Sequence, residues 1–213
     1  MKRFVDLIFA TLGLIAASPL MAAVALAIKL GDGGPIIFAQ ERVGQFGVPF
    51  RMYKFRTMIV NAEKVGIPLT THNDLRITRV GRWLRRTKLD ELPQLWNVVK
   101  GDMSLVGPRP EVPRYVALYT AEQRRVLEVR PGITDPASLE FFDEARCLAM
   151  SNPEMAYVTL ILPQKLAINL AYLRRRTVVS DFIVLLATLR KLVAPGSLSV
   201  PVKRVIETAR RSA

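Results

Sequence analysis

Hydrophobic positions dominate the start of the chain. Residues 4–28 form an apolar run whose single charged residue is Asp6. As a helix this run would reach about 37 Å, more than the roughly 30 Å hydrocarbon core of a bilayer. Near its middle, Pro19 lacks the amide hydrogen that would bond to the carbonyl of Ile15, and Ser18 can bond a freed carbonyl one turn back. The pattern predicts a membrane segment with a break at Ser18 and Pro19.

Three interpretations of this segment compete. A signal peptide would account for the basic residues at its start, but the apolar region of a signal peptide is shorter, about 7–15 residues. A spanning helix fits the length. A re-entrant helix fits the break, since the chain could return to the face from which it entered. Basic residues on both sides favour two cytoplasmic ends, and they are Lys2, Arg3, Lys29, Arg42, Arg51, Lys54 and Arg56. The residues alone leave the spanning and re-entrant interpretations open.

Shorter patterns follow the apolar run. Glycines and a proline predict a turn over residues 31–35. Residues 36–59 carry β-branched and aromatic positions between glycines, which predicts a small hairpin or two extended pieces. Helices are predicted over 79–89, 92–100 and 114–129, with loops over 60–77 and 101–113.

The C-terminal part has an apolar pattern with helical spacing. It covers residues 153–193, with a predicted break at Pro163. Basic residues interrupt it, namely Arg174, Arg175, Arg176, Arg190 and Lys191. These helices could belong to the core, or they could lie on a membrane surface with the basic residues at lipid phosphates, and one helix can do both. The basic residues after Pro195 predict a frayed tail.

Charge changes the picture of this apolar chain. Its 213 residues include 31 Lys and Arg against 18 Asp and Glu, giving a net charge of +13, while 50% of the residues are hydrophobic. This combination favours an anionic partner (nucleic acid, an anionic lipid surface or a phosphate-rich substrate) over a merely basic soluble protein. The single cysteine, Cys147, excludes an intrachain disulfide, and the single histidine, His72, is interpreted as a loop residue. A zinc site of clustered Cys and His is excluded by count.

The candidate chemistry lies where two of the scarce acids stand together. Asp90 and Glu91 precede Pro93 and an apolar helical pattern, so Asp90 could simply cap a helix. The same helix start could instead bind a phosphate and keep Asp90 ionised, and an ionised aspartate can attack phosphorus. Arg109 lies between the two prolines of GPRP, which suits a fixed phosphate contact. Nearby cations could hold anionic oxygens, namely Arg82, Arg85, Arg86 and Lys88, and such a site usually also needs Mg²⁺.

Several motifs together resemble the bacterial sugar transferase family, the small monotopic phosphoglycosyl transferases. The resemblance covers roughly residues 1–195, and each motif alone would be a weak signal. The motifs are KRFVDL, the Ser18-Pro19 break, GPIIFAQERVGQFGVPFRMYKFRTM, NDLRITRVGRWLRRTKLDELPQLWNVVKGDMSLVGPRP and RPGIT.

The resemblance implies a fold and a division of the chain. The fold is mainly α with a small β element (α+β), in a monotopic protein with interfacial amphipathic helices. Residues 1–30 would form a re-entrant helix-break-helix in the membrane. Residues 31–195 would form the catalytic domain, and 196–213 a basic C-terminal tail. The catalytic domain would lie on the cytoplasmic face of the bacterial inner membrane, in contact with the lipid bilayer. The oligomeric state stays open, with a homodimer among the options.

The resemblance also implies an activity. It is the transfer of a phosphosugar from a UDP-sugar to polyprenyl phosphate, with Mg²⁺ as cofactor and UMP as product. Undecaprenyl phosphate is expected because the family is bacterial, and the product would initiate a membrane glycoconjugate. Asp90 would be the nucleophile and Glu91 would assist, both also serving as metal ligands. The substrate and phosphate ligands would be Lys54, Arg56, Arg85, Arg109 and Arg130.

Two features depart from many family members. After RPGIT the chain reads DPASLEFFDEA, from Asp135 to Ala145, and Asn169 stands where many relatives have an aspartate. Both leave the identity of the sugar open. The competing class is a non-catalytic, membrane-anchored basic module that binds anionic lipid or nucleic acid. No nucleic-acid-binding motif is visible, so nucleic acid is not an expected partner.

Overall fold

The computed structural model describes residues 2–62, 70, 74–142 and 152–194. His72, Cys147, the tail 196–213 and the last part of the segment Asp135–Ala145 lie outside the described residues. The described helices are α1 Lys2–Asp32, α2 Arg79–Thr87, α3 Gln94–Lys100, α4 Pro113–Val116, α5 Pro136–Glu140, α6 Pro153–Arg174 and α7 Val178–Val193. The described strands are β1 Ile37–Val43, β2 Pro49–Phe55, β3 Ser104–Val106 and β4 Gly132–Thr134. The prediction of a mainly helical chain with a small β element is confirmed.

Helix α1 continues through Pro19. Proline removes the amide that would bond to the carbonyl of Ile15, and the Ser18 hydroxyl donates to that carbonyl at 2.8 Å instead. Because the freed acceptor is satisfied, the helix does not end at the predicted break. The predicted return of the chain to one membrane face stays a prediction.

Helix α1 is attached to the rest of the protein at its start. The Lys2 Nζ lies 2.6 Å from the Asp181 Oδ2 at the start of α7. Arg3 donates to the carbonyls of Val98 and Val99, at 2.6 and 3.0 Å, near the end of α3. Asp6 is buried and accepts a hydrogen bond of 2.8 Å from Ser104. Lys2 and Arg3, which resembled the basic start of a signal peptide, therefore attach α1 to the rest of the protein.

The predicted hairpin is confirmed as β1 and β2. They pair antiparallel, with Ile37 opposite Phe55 and Val43 opposite Pro49. Phe46 and Gly47 take positive φ angles of 58° and 79° in the connection. The hairpin packs on α3 through Met52 and Val98, so the C-terminal half of β2 lies beside the chain around Asp90.

A second sheet was not predicted. Strands β3 and β4 pair parallel, although the sequence predicted a loop over 101–113. Glycine permits the approach, because a Cβ on Gly132 would lie 2.1 Å from the Gly107 nitrogen. The GPRP loop follows β3 and Asp135 follows β4. Because the two strands are parallel, the loop and Asp135 lie at the same end of the sheet.

Two helix predictions are wrong in detail. The predicted helix over 114–129 is instead the short α4 and a 3₁₀ segment, Gln123–Glu128. Thr120 and Gln123 exchange side-chain-to-backbone hydrogen bonds, a local pattern that competes with a continuous helix. Conversely, α6 passes the predicted break at Pro163, because a π-helical turn over Tyr157–Ile161 precedes the proline and relaxes the normal helical ladder.

By length and composition, two described helices could cross a membrane. The most apolar stretch of α1 has a mean hydropathy of 2.1 and is 11% buried within the protein, whereas that of α6 has 1.2 and is 56% buried. Exposed apolar side chains on α1 include Phe4, Phe9 and Ile15. Helix α6 is therefore a core helix, and α1 presents most of its apolar surface outward.

Candidate active site

Asp90 lies in a tight connection between two helices. Helix α2 begins at the cap Thr78, whose hydroxyl accepts a hydrogen bond from the Gly81 amide at 2.9 Å. Lys88 then takes a left-handed conformation, with φ 56°, and starts the 3₁₀ turn Leu89–Glu91. The N-cap of α3 is Pro93, and no side chain caps that helix. The interpretation of Asp90 as a helix cap is therefore wrong.

Glu91 collects two cations from distant parts of the chain. The Lys54 Nζ of β2 lies 3.0 Å from the Glu91 Oε1. Arg109 of the GPRP loop donates to both oxygens of the same carboxylate, with a distance of 3.1 Å from its Nη1 to Oε2. Such a bidentate contact sets the orientation of both partners. The predicted residues Lys54, Glu91 and Arg109 are thus brought together.

The two adjacent acids have opposite pKa shifts. Burial raises the pKa of Asp90, and the charge of Glu91 raises it further, against the opposing effect of Lys54 and Arg85. Burial alone would also raise the pKa of Glu91, but the charges of Arg109 and Lys54 outweigh it and hold that pKa well below its usual range. Burial lowers the pKa of Lys54 to about 8. At neutral pH, Glu91 is a permanent counter-ion.

Arg85 completes the cation set near Asp90. Its Nε donates to the Thr57 hydroxyl at 2.8 Å, and burial lowers its pKa while Asp90 opposes that shift. The contact depends on Gly81, because a Cβ there would lie 1.9 Å from the Thr57 carbonyl oxygen. Helix α2 can therefore pack directly on the backbone of Thr57, just after β2. This packing places Arg85 near Asp90.

Asp135 positions the Arg109 loop, a role that the sequence did not predict. The Arg109 amide donates to the Asp135 Oδ2 at 2.9 Å. The other oxygen of Asp135 caps α5 by accepting from the Ser138 amide at 2.8 Å. Asp135 is 1% exposed. The sequence Asp-Pro-Ala-Ser is a recognisable helix start and could have revealed the cap, but not the contact with Arg109.

Three buried side chains have unsatisfied polar atoms within the described part of the chain. They are the Asp90 Oδ1, both amide atoms of Gln94 and the Asn169 Oδ1. Residues 90 and 94 are four positions apart in a helical run, so they lie on the same face. An unpaired buried group is costly, roughly 1–3 kcal/mol, which marks this face as one that a ligand or water would satisfy. The orphaned Gln94 amide was missed because its burial is invisible in the sequence.

Two predicted phosphate ligands have other contacts. Both terminal nitrogens of Arg56 donate to Asp32, and its Nε donates to the Pro35 carbonyl, so Arg56 attaches the end of α1 to the hairpin. Arg130 donates to the Gly101 carbonyl at 3.0 Å and lines a cavity beside the start of α1. Their predicted contact with substrate stays a prediction.

The described residues contain no cluster of three or more His, Cys, Asp and Glu side chains that could hold a metal ion. The predicted metal ligands Asp90 and Glu91 are a pair. A metal at this pair would need further oxygen ligands from substrate or water, which is the usual situation of Mg²⁺.

Sequence comparisons identify related proteins. The profile of a family described as bacterial sugar transferase matches residues 1–195. A Bacillus subtilis (strain 168) protein, provisionally named an undecaprenyl-phosphate N-acetylgalactosaminyl 1-phosphate transferase, is 49% identical over 121 residues, which cover 57% of this chain and 68% of the relative.

Two longer relatives also match more than half of this chain. The Aeromonas hydrophila UDP-N-acetylgalactosamine-undecaprenyl-phosphate N-acetylgalactosaminephosphotransferase is 46% identical over 138 residues, 62% of this chain and 32% of the relative. The Escherichia coli (strain K12) UDP-glucose:undecaprenyl-phosphate glucose-1-phosphate transferase is 43% identical over 146 residues, 65% of this chain and 31% of the relative. The match thus spans about a third of these two proteins, whose names give different sugars.

Proposed function

The chain belongs to the bacterial sugar transferase family, and from this we propose that it transfers a phosphosugar from a UDP-sugar to undecaprenyl phosphate, releasing UMP. The names of the three relatives supply the acceptor, since each includes undecaprenyl phosphate. The observation that carries the proposal is the buried Asp90 carboxylate, which has an orphaned oxygen beside the charges of Lys54 and Arg85. The product would initiate assembly of a membrane glycoconjugate.

In the first step, a carboxylate oxygen of Asp90 attacks the β-phosphorus of the UDP-sugar. A bond forms between that oxygen and phosphorus, and the bond to the oxygen that bridges the two phosphates breaks. UMP leaves with the bridging oxygen and both electrons of the broken bond. Lys54 and Arg109 stabilise the negative charge that develops on the phosphoryl oxygens, and Glu91 keeps both cations oriented.

In the second step, a phosphate oxygen of undecaprenyl phosphate attacks the phosphorus of the aspartyl-phosphosugar. The bond between phosphorus and Asp90 breaks, which restores the carboxylate and yields undecaprenyl-diphosphate-sugar. Asp90 attacks as the carboxylate, and the charges of Lys54 and Arg85 favour that ionised form against the effects of burial and of Glu91. A covalent intermediate divides the reaction between a water-soluble donor and a lipid acceptor.

Mg²⁺ fits this residue set through Asp90. A buried carboxylate oxygen without a partner suits an ion that takes oxygen ligands from one or two carboxylates and substrate phosphates. Glu91 fits less directly, because both of its oxygens already accept from cations, and as a second ligand it would share one of them. When bound, the ion would neutralise charge on the diphosphate of the donor.

The position of α1 supports a monotopic arrangement, and a supply of UDP-sugars in the cytoplasm would put it on the cytoplasmic face of the bacterial inner membrane. The start of α1 is attached through Lys2 and Arg3, and its end through the ion pair of Asp32 with Arg56. Val24 and Ile28 are also buried against α2. A helix that contacts one catalytic body at both ends could not cross the bilayer without leaving that body. We therefore assign residues 1–30 to the membrane anchor and, from the extent of the family match, residues 31–195 to the catalytic domain.

Release of UMP tests the proposed function. The full chain in detergent is mixed with undecaprenyl phosphate, Mg²⁺ and one member of a panel of UDP-sugars. We expect UMP to form with one or a few sugars and to stop when EDTA removes the metal. No UMP with any sugar, together with retained binding to anionic vesicles, would favour the competing class of a non-catalytic basic module.

A further inference from the structure

A cavity outside the proposed active site is strongly basic. Its volume is about 180 Å³, large enough for several water molecules at about 30 Å³ each. It lies between the start of α1, the chain before β4 and the connection from α6 to α7. Its lining residues are Lys2, Arg3, Asp6, Gln45, Ser104, Val129, Arg130 and Arg176. The part of the chain that carries Asp90, Glu91 and Lys54 does not contribute to it.

The charges of this cavity do not cancel. Four cations line the cavity. Two acids oppose them: Asp6, which also lines the cavity, and Asp181, which pairs with Lys2 and Arg176. Two positive charges therefore remain in excess. Partly buried cations that exceed their counter-ions attract an anion.

Arg130 supplies the open hydrogen-bond donors of the cavity. Its Nε is held by the Gly101 carbonyl at 3.0 Å, which orients the guanidinium. Its two terminal nitrogens make no hydrogen bond or ion pair with the described residues. By contrast, terminal nitrogens of Arg3 and Arg176 donate hydrogen bonds to backbone carbonyls. An oriented guanidinium with two free NH₂ groups matches the geometry of a phosphate.

Exposed apolar side chains lie at the starts of α1 and α7, close in the chain to residues that line the cavity or pair with them. Phe4 follows the cavity residue Arg3 and is 68% exposed. The ion pair between Lys2 and Asp181 brings the start of α7 to the same place, where Val179 is 69% and Phe182 is 53% exposed. A soluble anion would not need apolar side chains near its site, whereas the acyl chains of a lipid would lie against them.

We propose that this cavity binds the phosphate of an anionic membrane phospholipid, with Arg130 as the principal ligand and the side chains of Phe4, Val179 and Phe182 against the acyl chains. The site would hold the starts of α1 and α7 at the membrane surface. The proposal rests on the membrane location proposed above but not on the transfer reaction, and its test contains no UDP-sugar.

Native mass spectrometry of the full chain in neutral detergent provides the test. The protein is titrated with dioleoyl phosphatidylglycerol and, separately, with dioleoyl phosphatidylcholine. We expect one tightly bound phosphatidylglycerol, with a Kd about tenfold lower than that of phosphatidylcholine. Equal binding of the two lipids would overturn the proposal without any variant. Displacement of phosphatidylglycerol by an equal concentration of inorganic phosphate would overturn the lipid assignment, and displacement by undecaprenyl phosphate would assign the cavity to the acceptor.

A matched pair of variants locates the site. Arg130→Gln removes the charge but keeps an amide that can donate to Gly101, and we expect it to weaken phosphatidylglycerol binding about tenfold. Arg124→Gln makes the same change in net charge at an exposed position outside the cavity and should bind as the unchanged protein does. An equal loss in both variants would mean that only net charge matters. Circular dichroism of Arg130→Gln checks that its helices are intact.

Discussion

At the scale of single residues, the adjacent acids Asp90 and Glu91 differ in their hydrogen-bond partners. Glu91 holds two cations, while one oxygen of the buried Asp90 has no hydrogen-bond partner among the described residues. A carboxylate that is hydrogen-bonded to two cations, as Glu91 is, is a weak nucleophile. A carboxylate that lies near cations without such bonds, as Asp90 does, keeps an oxygen available for attack. The arrangement therefore divides the pair into a positioning residue, Glu91, and a nucleophile, Asp90.

Replacing Arg109 tests this division. We expect Arg109→Ala to lower kcat/KM about tenfold to a hundredfold, because one charge-assisted contact to phosphate is worth roughly 1.5–3 kcal/mol. Arg114→Ala, which removes an exposed ion pair with Glu154, should change activity little. Steady-state kinetics and thermal unfolding are measured on both. If Arg109→Ala unfolds readily yet keeps full activity per folded molecule, Arg109 is structural.

Asp135 offers a second test. Asparagine caps helices as well as aspartate does, so Asp135→Asn should preserve α5 and most of the thermal stability. The amide cannot accept from both the Arg109 and Ser138 backbone groups, so we expect kcat to fall about tenfold as the Arg109 loop loosens. Unchanged kcat, or a fall matched by lost stability, would contradict a positioning role. Ser138→Ala is the control, since it removes one contact of Asp135 and leaves Arg109 bonded.

Much of this site could be predicted from the sequence by its motifs, which named Lys54, Arg85, Asp90, Glu91 and Arg109. The distribution of contacts among them could not be predicted. Lys54 and Glu91 are 37 positions apart, and Arg109 and Glu91 are 18 apart, so their pairing depends on the completed fold. The same reason explains Arg56, whose partner Asp32 lies at the end of a different element.

At the scale of elements, sequence patterns predicted those helices and strands that depend on contacts between residues close together in the chain. The hairpin β1–β2 has alternating side chains and a glycine turn, and both are visible in the sequence. Strands β3 and β4 have three residues each and pair across 28 positions at Ser104 and Gly132, so no local pattern indicates them. Continuation of α6 past Pro163 depends on a π-helical turn, which has no reliable sequence signal.

Docking of α1 should depend on pH through Asp181. Burial alone would raise the pKa of Asp181, but hydrogen bonds from Arg176, Lys2 and Tyr172 outweigh it and lower that pKa. The stabilisation is therefore present above the pKa of the unfolded carboxyl, about 3.9, and is lost as pH falls through the lower folded pKa. We expect Asp181→Asn to lower Tm at neutral pH and to flatten the acid-induced fall of Tm.

Thermal unfolding in detergent between pH 7 and pH 2 measures this effect. Glu122→Gln is the control, because it disrupts an exposed ion pair with Arg174 that should contribute little. Parallel Tm curves for Asp181→Asn and the unchanged protein would show that Asp181 does not stabilise the docking of α1.

At the scale of the whole molecule, the proposed topology places both ends of α1 on the cytoplasmic side. A cysteine added in front of residue 2 leaves the contact of Lys2 with Asp181 intact, in a background with Cys147→Ser. A membrane-impermeant thiol reagent should label it in inverted vesicles but not in intact cells. Labelling from outside intact cells, with the catalytic body inside, would establish a spanning helix. Replacing Ser18 and Pro19 by leucine should move the protein toward that result, because it restores a straight helical ladder.

In the proposed reaction, Asp90 carries the phosphosugar between the two substrates. Intact-protein and peptide mass spectrometry after incubation with the UDP-sugar and Mg²⁺, without acceptor, tests it most directly. We expect a sugar-phosphate adduct on Asp90, accompanied by one UMP per adduct, and we expect the adduct to disappear when undecaprenyl phosphate is added. Asp90→Asn should form no adduct and show no turnover while it still folds and inserts. Normal turnover by Asp90→Asn, or an adduct on a different residue, would contradict the claim.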